Sequence, residues 1–254
     1  MGHDNSRLIL DALEEFDVDI AVFAEHDGVD WPSFKSTSPY HVESGLGGCK
    51  KLLLLSKVSW NISIAQEQNR YAIYNVSSPF SQKKYVLCAA HLEDRFTTDS
   101  IRRVMTIGRL VNDIQNLEEC CKTKKSIILG DFNANPYDTE MLATNAFNSV
   151  LFKALIKQKE FTVVNKERFR RLYNPILDYI SEDSHMYGSI YNTNKSDSPI
   201  WHCFDQVLVT KELVDCIQNV SYLRMISNTS LMANVKPNKC ISDHLPLLVV
   251  ISEE

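Results

Sequence analysis

The sequence lacks a basic excess, a long apolar run and any internal repeat. Lysine and arginine number 27 against 32 aspartate and glutamate residues, which gives a net charge of −5. A protein that coats nucleic acid non-specifically needs a broad basic face, so this balance argues against that class, although it is compatible with an enzyme that has a local basic groove. Apolar runs such as residues 52–55 and 247–251 are far too short to cross a bilayer, so we expect no membrane partner.

Paired cysteines of the CxxC type are also missing. Seven cysteines are present, none at a spacing typical of metal ligands, and most have apolar neighbours. That pattern indicates reduced thiols in the core of a cytoplasmic protein without a signal peptide. With 254 residues, of which 44% are hydrophobic, the chain can bury a large core as one domain or as two tightly joined ones.

What the sequence does contain is an alternation of helical and strand-like patterns. Helical spacing is found at residues 6–16, 98–119, 137–158 and 211–218. Strand-like runs are found at residues 18–24, 51–56, 59–65, 71–76, 85–90, 127–129, 204–209 and 247–251. Because some strands are joined by hairpins and others by helices, the pattern predicts an α/β protein with two sheets packed face to face and helices outside.

The most informative segment is an apolar strand that ends abruptly in polar residues. Residues 127–133 read Ile-Ile-Leu-Gly-Asp-Phe-Asn. Side chains two residues apart in an extended chain point to the same side, so Asp131 and Asn133 can converge on one ligand. The other interpretation is a strand followed by an Asx turn, because Asp, Asn and Gly also favour turns.

Polar residues with catalytic potential stand at four further strand boundaries. Glu25 and His91 follow apolar runs, Asp205 opens one, and Asp243 with His244 leads into another. Each position alone is typical of a solvated loop edge. Together they supply the residue types that bind metals and transfer protons, so we predict that they meet at one site.

With these motifs the chain resembles the exonuclease–endonuclease–phosphatase superfamily, which has the DNase I-like fold. The matching residues, in the family's order, are Phe23-Ala24-Glu25, Ala90-His91-Leu92, Gly130-Asp131-Phe132-Asn133, Phe204-Asp205-Gln206-Val207-Leu208 and Ser242-Asp243-His244-Leu245-Pro246-Leu247. The resemblance implies one domain over residues 1–254, built as a four-layer α/β sandwich of two packed mixed β-sheets flanked by helices. It also implies a divalent-metal-dependent hydrolase of phosphate esters. A softer similarity, at Tyr173-Asn174-Pro175, Tyr187-Gly188 and Trp201, is to bacterial members.

The resemblance and the chemistry of phosphoester cleavage assign the metal and the phosphate contacts. Glu25 is expected to bind Mg²⁺ or Mn²⁺, which prefer carboxylate oxygens, and Asp243 is the second carboxylate at the metal, directly or through water. His244 would contact the scissile phosphate, and Asp205 would hold its imidazole in one tautomer.

Proton transfer would fall to the remaining predicted residues. Asp131 would position or deprotonate the attacking water, and Asn133 would fix that water and donate to phosphate. His91 is expected either to make a second phosphate contact or to act as general acid at the leaving group.

Basic residues elsewhere allow two interpretations. Arg170 and Arg171, followed by Tyr173 and Asn174, are predicted to bind substrate as the wall of a groove, or else to form a solvated charged face with their neighbours. Arg102 and Arg103 are expected on the exposed or edge face of the long helix.

Near residue 1 the sequence departs from the family pattern. Family members ordinarily begin with an apolar strand that ends in Asn, whose carboxamide reaches the metal site. Here residues 1–6 lead directly into a helix, and Asn5 has no apolar run before it, so that role is not assigned to Asn5. We therefore expect either that the first strand is absent or trimmed, or that a different group fills its place. A missing strand would expose a neighbouring strand edge and weaken metal binding.

Three functions are compatible with the sequence. The first is a nuclease acting on DNA or RNA, the second is a phosphatase or phosphodiesterase acting on a phosphorylated small molecule such as an inositol phosphate or a nucleotide, and the third is a catalytically weak binding or assembly module. The acidic balance favours the second function, and the basic and aromatic residues between positions 166 and 201 favour the first.

Overall fold

The computed structural model describes residues 5–26, 29–43, 48–81, 83–95, 97–180, 187–192 and 200–253. Its helices are α1 (Ser6–Glu15), α2 (Trp31–Thr37), α3 (Ser100–Cys121), α4 (Thr139–Leu142), α5 (Lys153–Gln158) and α6 (Ile176–Tyr179), with a 3₁₀ helix at Lys211–Leu213. The first eight strands are β1 (Ile20–Ala24), β2 (Tyr40–Glu43), β3 (Leu52–Lys57), β4 (Asn61–Glu67), β5 (Tyr71–Ser77), β6 (Lys84–His91), β7 (Ser126–Asp131) and β8 (Ser149–Val150). The later strands are β9 (Phe161–Val164), β10 (Glu167–Arg170), β11 (Leu172–Tyr173), β12 (Ile190–Tyr191), β13 (Trp201–His202), β14 (Asp205–Val209), β15 (Ile217–Tyr222), β16 (Met225–Ile226), β17 (Thr229–Ser230), β18 (Met232–Ala233), β19 (Lys236–Pro237) and β20 (Leu247–Ile251).

A mixed sheet of seven strands forms the centre of the molecule. Its order is β4-β5-β6-β7-β14-β11-β8, in which β6 runs parallel to β7 and β8 runs parallel to β11, while the other pairs are antiparallel. Opposite it lie two antiparallel pieces, β1-β3-β2 and β15-β20. The predicted α/β sandwich is confirmed.

Strands with apolar residues on both faces explain why the molecule has four layers. In β5, Tyr74 faces the apolar cluster between the sheets, whereas Ile73 faces a second cluster that includes Ile107 of α3. In β3, Leu54 joins the cluster between the sheets, and Leu53 packs with helices α1 and α2. Alternate side chains of a strand point to opposite faces, so each of these strands needs a covering layer on both sides.

Two predicted helices are wrong. Residues 137–158 form the short helices α4 and α5 with strand β8 between them, and residues 211–218 form one 3₁₀ turn followed by the start of β15. Pairing of β8 with β11 and of β15 with β20 explains the difference, because sheet pairing overrides a weak local helical pattern. Among the described helices, none combines the length and the apolar character needed to span a membrane.

The two small sheet pieces leave an apolar cleft between them. In the described chain β1 pairs with β3 alone and β20 pairs with β15 alone, so each has one unpaired edge. Ile20 of β1 and Ile251 of β20 line a cleft of about 80 Å³, whose other walls include Leu87 and Ile127 of the large sheet.

Gly130 allows β7 to approach β6 at the end where the polar residues begin. Its φ is +141°, and a Cβ placed on it would lie 2.0 Å from the carbonyl oxygen of Ala90. We expect Gly130→Ala to destabilise the protein by about 3 kcal/mol, because both the positive φ and the backbone contact oppose a side chain. Urea unfolding measures this.

Gly108→Ala is the comparison variant for that measurement. Gly108 lies inside helix α3, and its added Cβ would make one close contact, at 2.8 Å from the carbonyl oxygen of Asn145. Helix propensity favours alanine there by about 1 kcal/mol, so the net effect should be much smaller. Equal losses in the two variants would contradict the argument.

Candidate active site

Three of the predicted side chains stand in one row at one edge of the large sheet. Strand registers place His91 of β6 opposite Asp131 of β7, and Asp131 opposite Asp205 of β14. Neighbouring strands lie about 4.8 Å apart, so groups in this row can contact one bound molecule. His91 and Asp131 are each 7% exposed, so the row is largely shielded from water.

The turn after β7 fixes the carboxylate of Asp131. The backbone N–H of Asn133 donates to Asp131 Oδ1 at 2.8 Å, and Asn133 Nδ2 lies 3.3 Å from Asp131 Oδ2 and 3.1 Å from the carbonyl oxygen of Leu92. Asn133 has a φ of 48°, which asparagine tolerates better than most residues. The segment is therefore an Asx turn and a strand end that presents Asp131, so the two interpretations of the motif describe the same structure.

His244 reaches the row through Asp205. Its Nδ1 lies 2.7 Å from Asp205 Oδ2, and an isolated bridge to Ile190 holds its backbone. Burial disfavours the charged imidazole, but the hydrogen bond and charge of Asp205, with the charges of Asp131 and Asp243, outweigh it and raise the pKa of His244 to about 9. His244 is therefore a cation at neutral pH.

Burial shifts two titratable groups of the row, Asp131 and His91, toward their neutral forms. Burial, with the neighbouring charge of Asp205, raises the pKa of Asp131 to about 7. Burial lowers the pKa of His91, whose Nε2 lies 3.7 Å from Asp131 Oδ2. His91 is thus a neutral imidazole at neutral pH, and Asp131 changes its charge close to that pH.

Glu25 comes to the row from the opposite sheet. It follows β1 with a φ of 53°, and its backbone N–H donates to the carbonyl oxygen of Lys51 at 2.8 Å. Its carboxylate accepts a hydrogen bond from the Lys51 ammonium, which lowers the pKa of Glu25, and it lies 4.0 Å from His91 Nε2. The site is therefore built from both sheets.

The oxygen donors fit a hydrated hard cation better than an ion enclosed by protein. The described residues contain no group of three or more His, Cys, Asp or Glu side chains arranged to hold a metal. Mg²⁺ commonly keeps several waters and takes one or two carboxylates, a role that Glu25 and the exposed Asp243 can fill. The Lys51 ammonium would have to give up its contact with Glu25.

The structure does not bring Arg170 to this row. Its guanidinium pairs with Glu118 of α3, which also accepts a hydrogen bond from Ser126. Ser126 begins β7 and Asp131 ends it, so this ion pair lies roughly 16 Å from the row. Glu118 is buried, which explains why it draws an arginine inward.

The three other predicted substrate contacts also have internal partners. The Arg171 guanidinium donates to Thr162 Oγ1 and to the carbonyl oxygen of Lys159, and the buried Tyr173 hydroxyl donates to Asp178. Asn174 is fully buried, and its Nδ2 donates to Gln206 Oε1 at 2.6 Å. Gln206 follows Asp205 in the chain, so Asn174 is connected to the Asp205 end of the row through Gln206.

Sequence reasoning missed the arginine that holds the Asp131 turn. The expectation that Arg103 lies on the exposed or edge face of α3 is wrong, since it is 2% exposed, whereas Arg102 is exposed as expected. Arg103 Nη2 donates to the carbonyl oxygens of Phe132 and Asn133 at 3.2 and 2.8 Å, and Nη1 lies 2.7 Å from Glu140 Oε1. Helical spacing could have distinguished the two arginines, because Arg103 lies four residues before Ile107 and seven before Leu110 on the buried face of α3.

Solved structures of low sequence identity share this fold. An endonuclease/exonuclease/phosphatase family protein from Bacteroides thetaiotaomicron is 13% identical, with 98% of this chain and 90% of that chain covered at a TM-score of 0.61. TDP2 from D. rerio, solved with a single-strand DNA product, is 16% identical over 98% and 92% of the two chains, with a TM-score of 0.60. A mannosyl-6-phosphatase from B. thetaiotaomicron VPI-5482 is 12% identical over 98% and 91%, with a TM-score of 0.61.

These likenesses concern the fold. No protein-family model matches the sequence, and no curated protein matches it. The predicted resemblance to the DNase I-like superfamily is confirmed at the level of the fold.

Removal of Arg103 should destabilise the protein through the carboxylate left behind. We expect Arg103→Met to lower the free energy of unfolding by about 3 kcal/mol, because Glu140 would stay buried and unpaired. The double variant Arg103→Met, Glu140→Gln should recover part of that loss. Arg102→Met, one position away and exposed, should change stability by less than about 0.5 kcal/mol. If the losses in the free energy of unfolding from the two substitutions simply added up in the double variant, the coupling between Arg103 and Glu140 would be refuted.

Asp205→Asn should release the proton of His244. Burial remains while the main charge partner is lost, so the pKa of His244 should fall from about 9 to near or below 6.5. Because the native pKa is raised, the stability from this pair is complete below pH 6.5 and is lost as the pH rises through 9. NMR titration of the imidazole in EDTA measures the pKa. Asp11→Asn, which alters a surface pair with Arg7, should leave it unchanged.

Proposed function

We propose that this protein hydrolyses phosphate esters and that its substrate is a phosphodiester of DNA or RNA. The observation that supports this most is the row of His91, Asp131 and Asp205, with His244 bound at one end and Glu25 near the other. The fold is shared with a protein solved with a single-strand DNA product and with a sugar phosphatase. Both names describe phosphoester chemistry.

Asp131 is the candidate general base. Its pKa of about 7 makes the carboxylate a stronger base than a solvated aspartate and leaves it largely ionised just above neutral pH. The backbone N–H of Asn133, in the Asx turn, holds the Asp131 carboxylate in one orientation. A water bound at Asp131 would lose its proton to this carboxylate as it attacks phosphorus. The bond from phosphorus to the leaving oxygen would break, and that oxygen would take up a proton from solvent water.

His244 and His91 have different tasks because their charges differ. The imidazolium of His244, oriented by Asp205, would offset the negative charge that grows on the phosphoryl oxygens. The neutral imidazole of His91 suits a hydrogen bond to the phosphate better than proton donation at neutral pH. Mg²⁺ or Mn²⁺ held by Glu25, with Asp243 as second carboxylate, would supply further polarisation of the phosphoryl group.

A small phosphorylated substrate is the second candidate, and one observation favours it. The basic cluster near residue 170 does not line the site, since Arg170 pairs with Glu118 instead, and the whole chain carries a net charge of −5. A long nucleic-acid contact would therefore depend on fewer cations than the sequence indicated.

Loss of Asp131 or His244 should remove hydrolysis without unfolding the protein. We expect Asp131→Asn and His244→Gln each to lower kcat/KM about a thousandfold, because one removes the base and the other the charge that stabilises the transition state. The assay uses Mg²⁺ or Mn²⁺ with plasmid DNA, single-stranded DNA, RNA, inositol phosphates and sugar phosphates, followed by gel electrophoresis or ³¹P NMR.

Matched controls separate chemistry from folding. Asp11→Asn and His41→Ala change residue types identical to those tested, both in surface ion pairs, and should keep full activity. Circular dichroism should show that all four variants are folded, with a lower urea midpoint for His244→Gln because Asp205 loses its partner. Residual activity that tracks the folded fraction would contradict the roles, and no hydrolysis of any substrate by the unmodified protein would favour a binding module.

A further inference from the structure

A basic cavity of about 280 Å³ opens beside the candidate active site. Its lining residues are Gly48, Lys50, Lys51, Asn69 and Arg70. These residues offer three cationic side chains and one carboxamide, and they include no carboxylate. In a chain with a net charge of −5, such a concentration of positive charge is a local feature that attracts anions.

Backbone hydrogen bonds join the cavity to the active site. The carbonyl oxygen of Lys51 accepts from the N–H of Glu25 at 2.8 Å, and the carbonyl oxygen of Arg70 accepts from the N–H of His91 at 2.9 Å. Lys51 precedes β3 and Arg70 precedes β5, so both strands begin at the end of the molecule where the active-site row lies. The cavity is therefore the next position along a ligand that occupies the row.

The cations of the cavity are only partly neutralised. Arg70 Nε is buried without a hydrogen-bond partner among the described residues and lies 3.5 Å from Glu93 Oε1, which is too long for a good hydrogen bond. Lys50 is exposed and has no ion-pair partner in the described ranges. Glu67 is near, but its carboxylate accepts from the backbone N–H groups of Gly48 and Cys49 at 3.0 and 2.9 Å.

Electrostatic reach supports the same connection. The charges of Lys51 and Arg70 both lower the pKa of His91, so the cations of the cavity act electrostatically on the row. Lys51 is already bound to Glu25, and Arg70 has only the long ion pair with Glu93 at 3.5 Å, so Lys50 and Arg70 are the least neutralised cations that an added anion would contact. A guanidinium and an exposed ammonium are both suited to phosphate oxygens.

We propose that this cavity binds a second phosphate group of the substrate, adjacent to the phosphate that is cleaved. The proposal rests on the proposed function and narrows it to substrates with at least two phosphates. The second phosphate can belong to the neighbouring nucleotide of a strand or to a multiply phosphorylated small molecule. In both cases Lys50 and Arg70 contact a group that does not react.

Paired substrates test the proposal. One pair is a dinucleotide with a 5′-phosphate and the same dinucleotide without it, and the other is an inositol bisphosphate and an inositol monophosphate. We expect kcat/KM to be about tenfold higher for the member with two phosphates, since a charge-assisted contact is gained. A preference within the dinucleotides alone assigns a strand, and one within the inositols alone assigns a small molecule.

Variants of the cavity identify the residues responsible. Lys50→Met should remove the preference while leaving kcat/KM for the one-phosphate substrate unchanged. Arg70→Met, whose charge also acts on His91, should lower kcat/KM for the two-phosphate substrate more than for the one-phosphate substrate. Lys124→Met, an exposed lysine just before β7 at the opposite end of that strand, should keep the preference. Equal losses on both members of a pair would overturn the proposal, as would no loss at all.

A binding measurement keeps the test independent of hydrolysis. In EDTA, inorganic phosphate should shift the amide NMR signals of Gly48, Lys51 and Arg70 in the unmodified protein, and these shifts should vanish in Arg70→Met. Shifts confined to the row near Asp131 would overturn the cavity assignment even if the enzyme is active. Shifts at the cavity without any hydrolysis would refute the proposed function and leave an anion-binding site.

Discussion

The register of β7 with its two neighbours is the constraint on which the active-site row depends. His91, Asp131 and Asp205 lie side by side because β6 pairs in parallel and β14 pairs in antiparallel with the same central strand. A slip of one residue would turn Asp131 to the other face of the sheet and separate the row. The close approach at Gly130 and the Arg103 contacts with the next turn both hold this register.

Burial and charged neighbours give Asp131, His91 and His244 different protonation states at neutral pH. Asp131 and His91 are both buried, and burial moves each of them toward its neutral form. His244 is also desolvated, yet it stays charged because Asp205 provides a hydrogen bond and a negative charge together. The same physical cost therefore yields a base near neutral pH, a neutral imidazole and a cation within one site.

The basic cavity depends on where the two sheets meet. Glu25 and Lys51 come from the smaller sheet, and His91 and Arg70 come from the large one, so the basic cavity exists only when the layers are packed. The segment near residue 170, in contrast, contributes its arginine to a structural ion pair with Glu118. Charge density along the sequence therefore did not indicate which arginines lie near the row.

Local pattern was enough to locate the strand ends and to indicate the layers. An apolar run that stops at Asp131 or His91 is visible within a few residues, and strands such as β3 and β5, apolar on both faces, require cover on both sides. Tertiary structure alone decided which cations face the site. Arg103 and Arg170 turn inward because of Glu140 and Glu118, carboxylates 37 and 52 positions away along the chain, and Arg70 stands beside the site because β5 starts there. Short-range periodicity carries no information about such partners, since a buried charge is held by whatever opposite charge the packed layers bring near it.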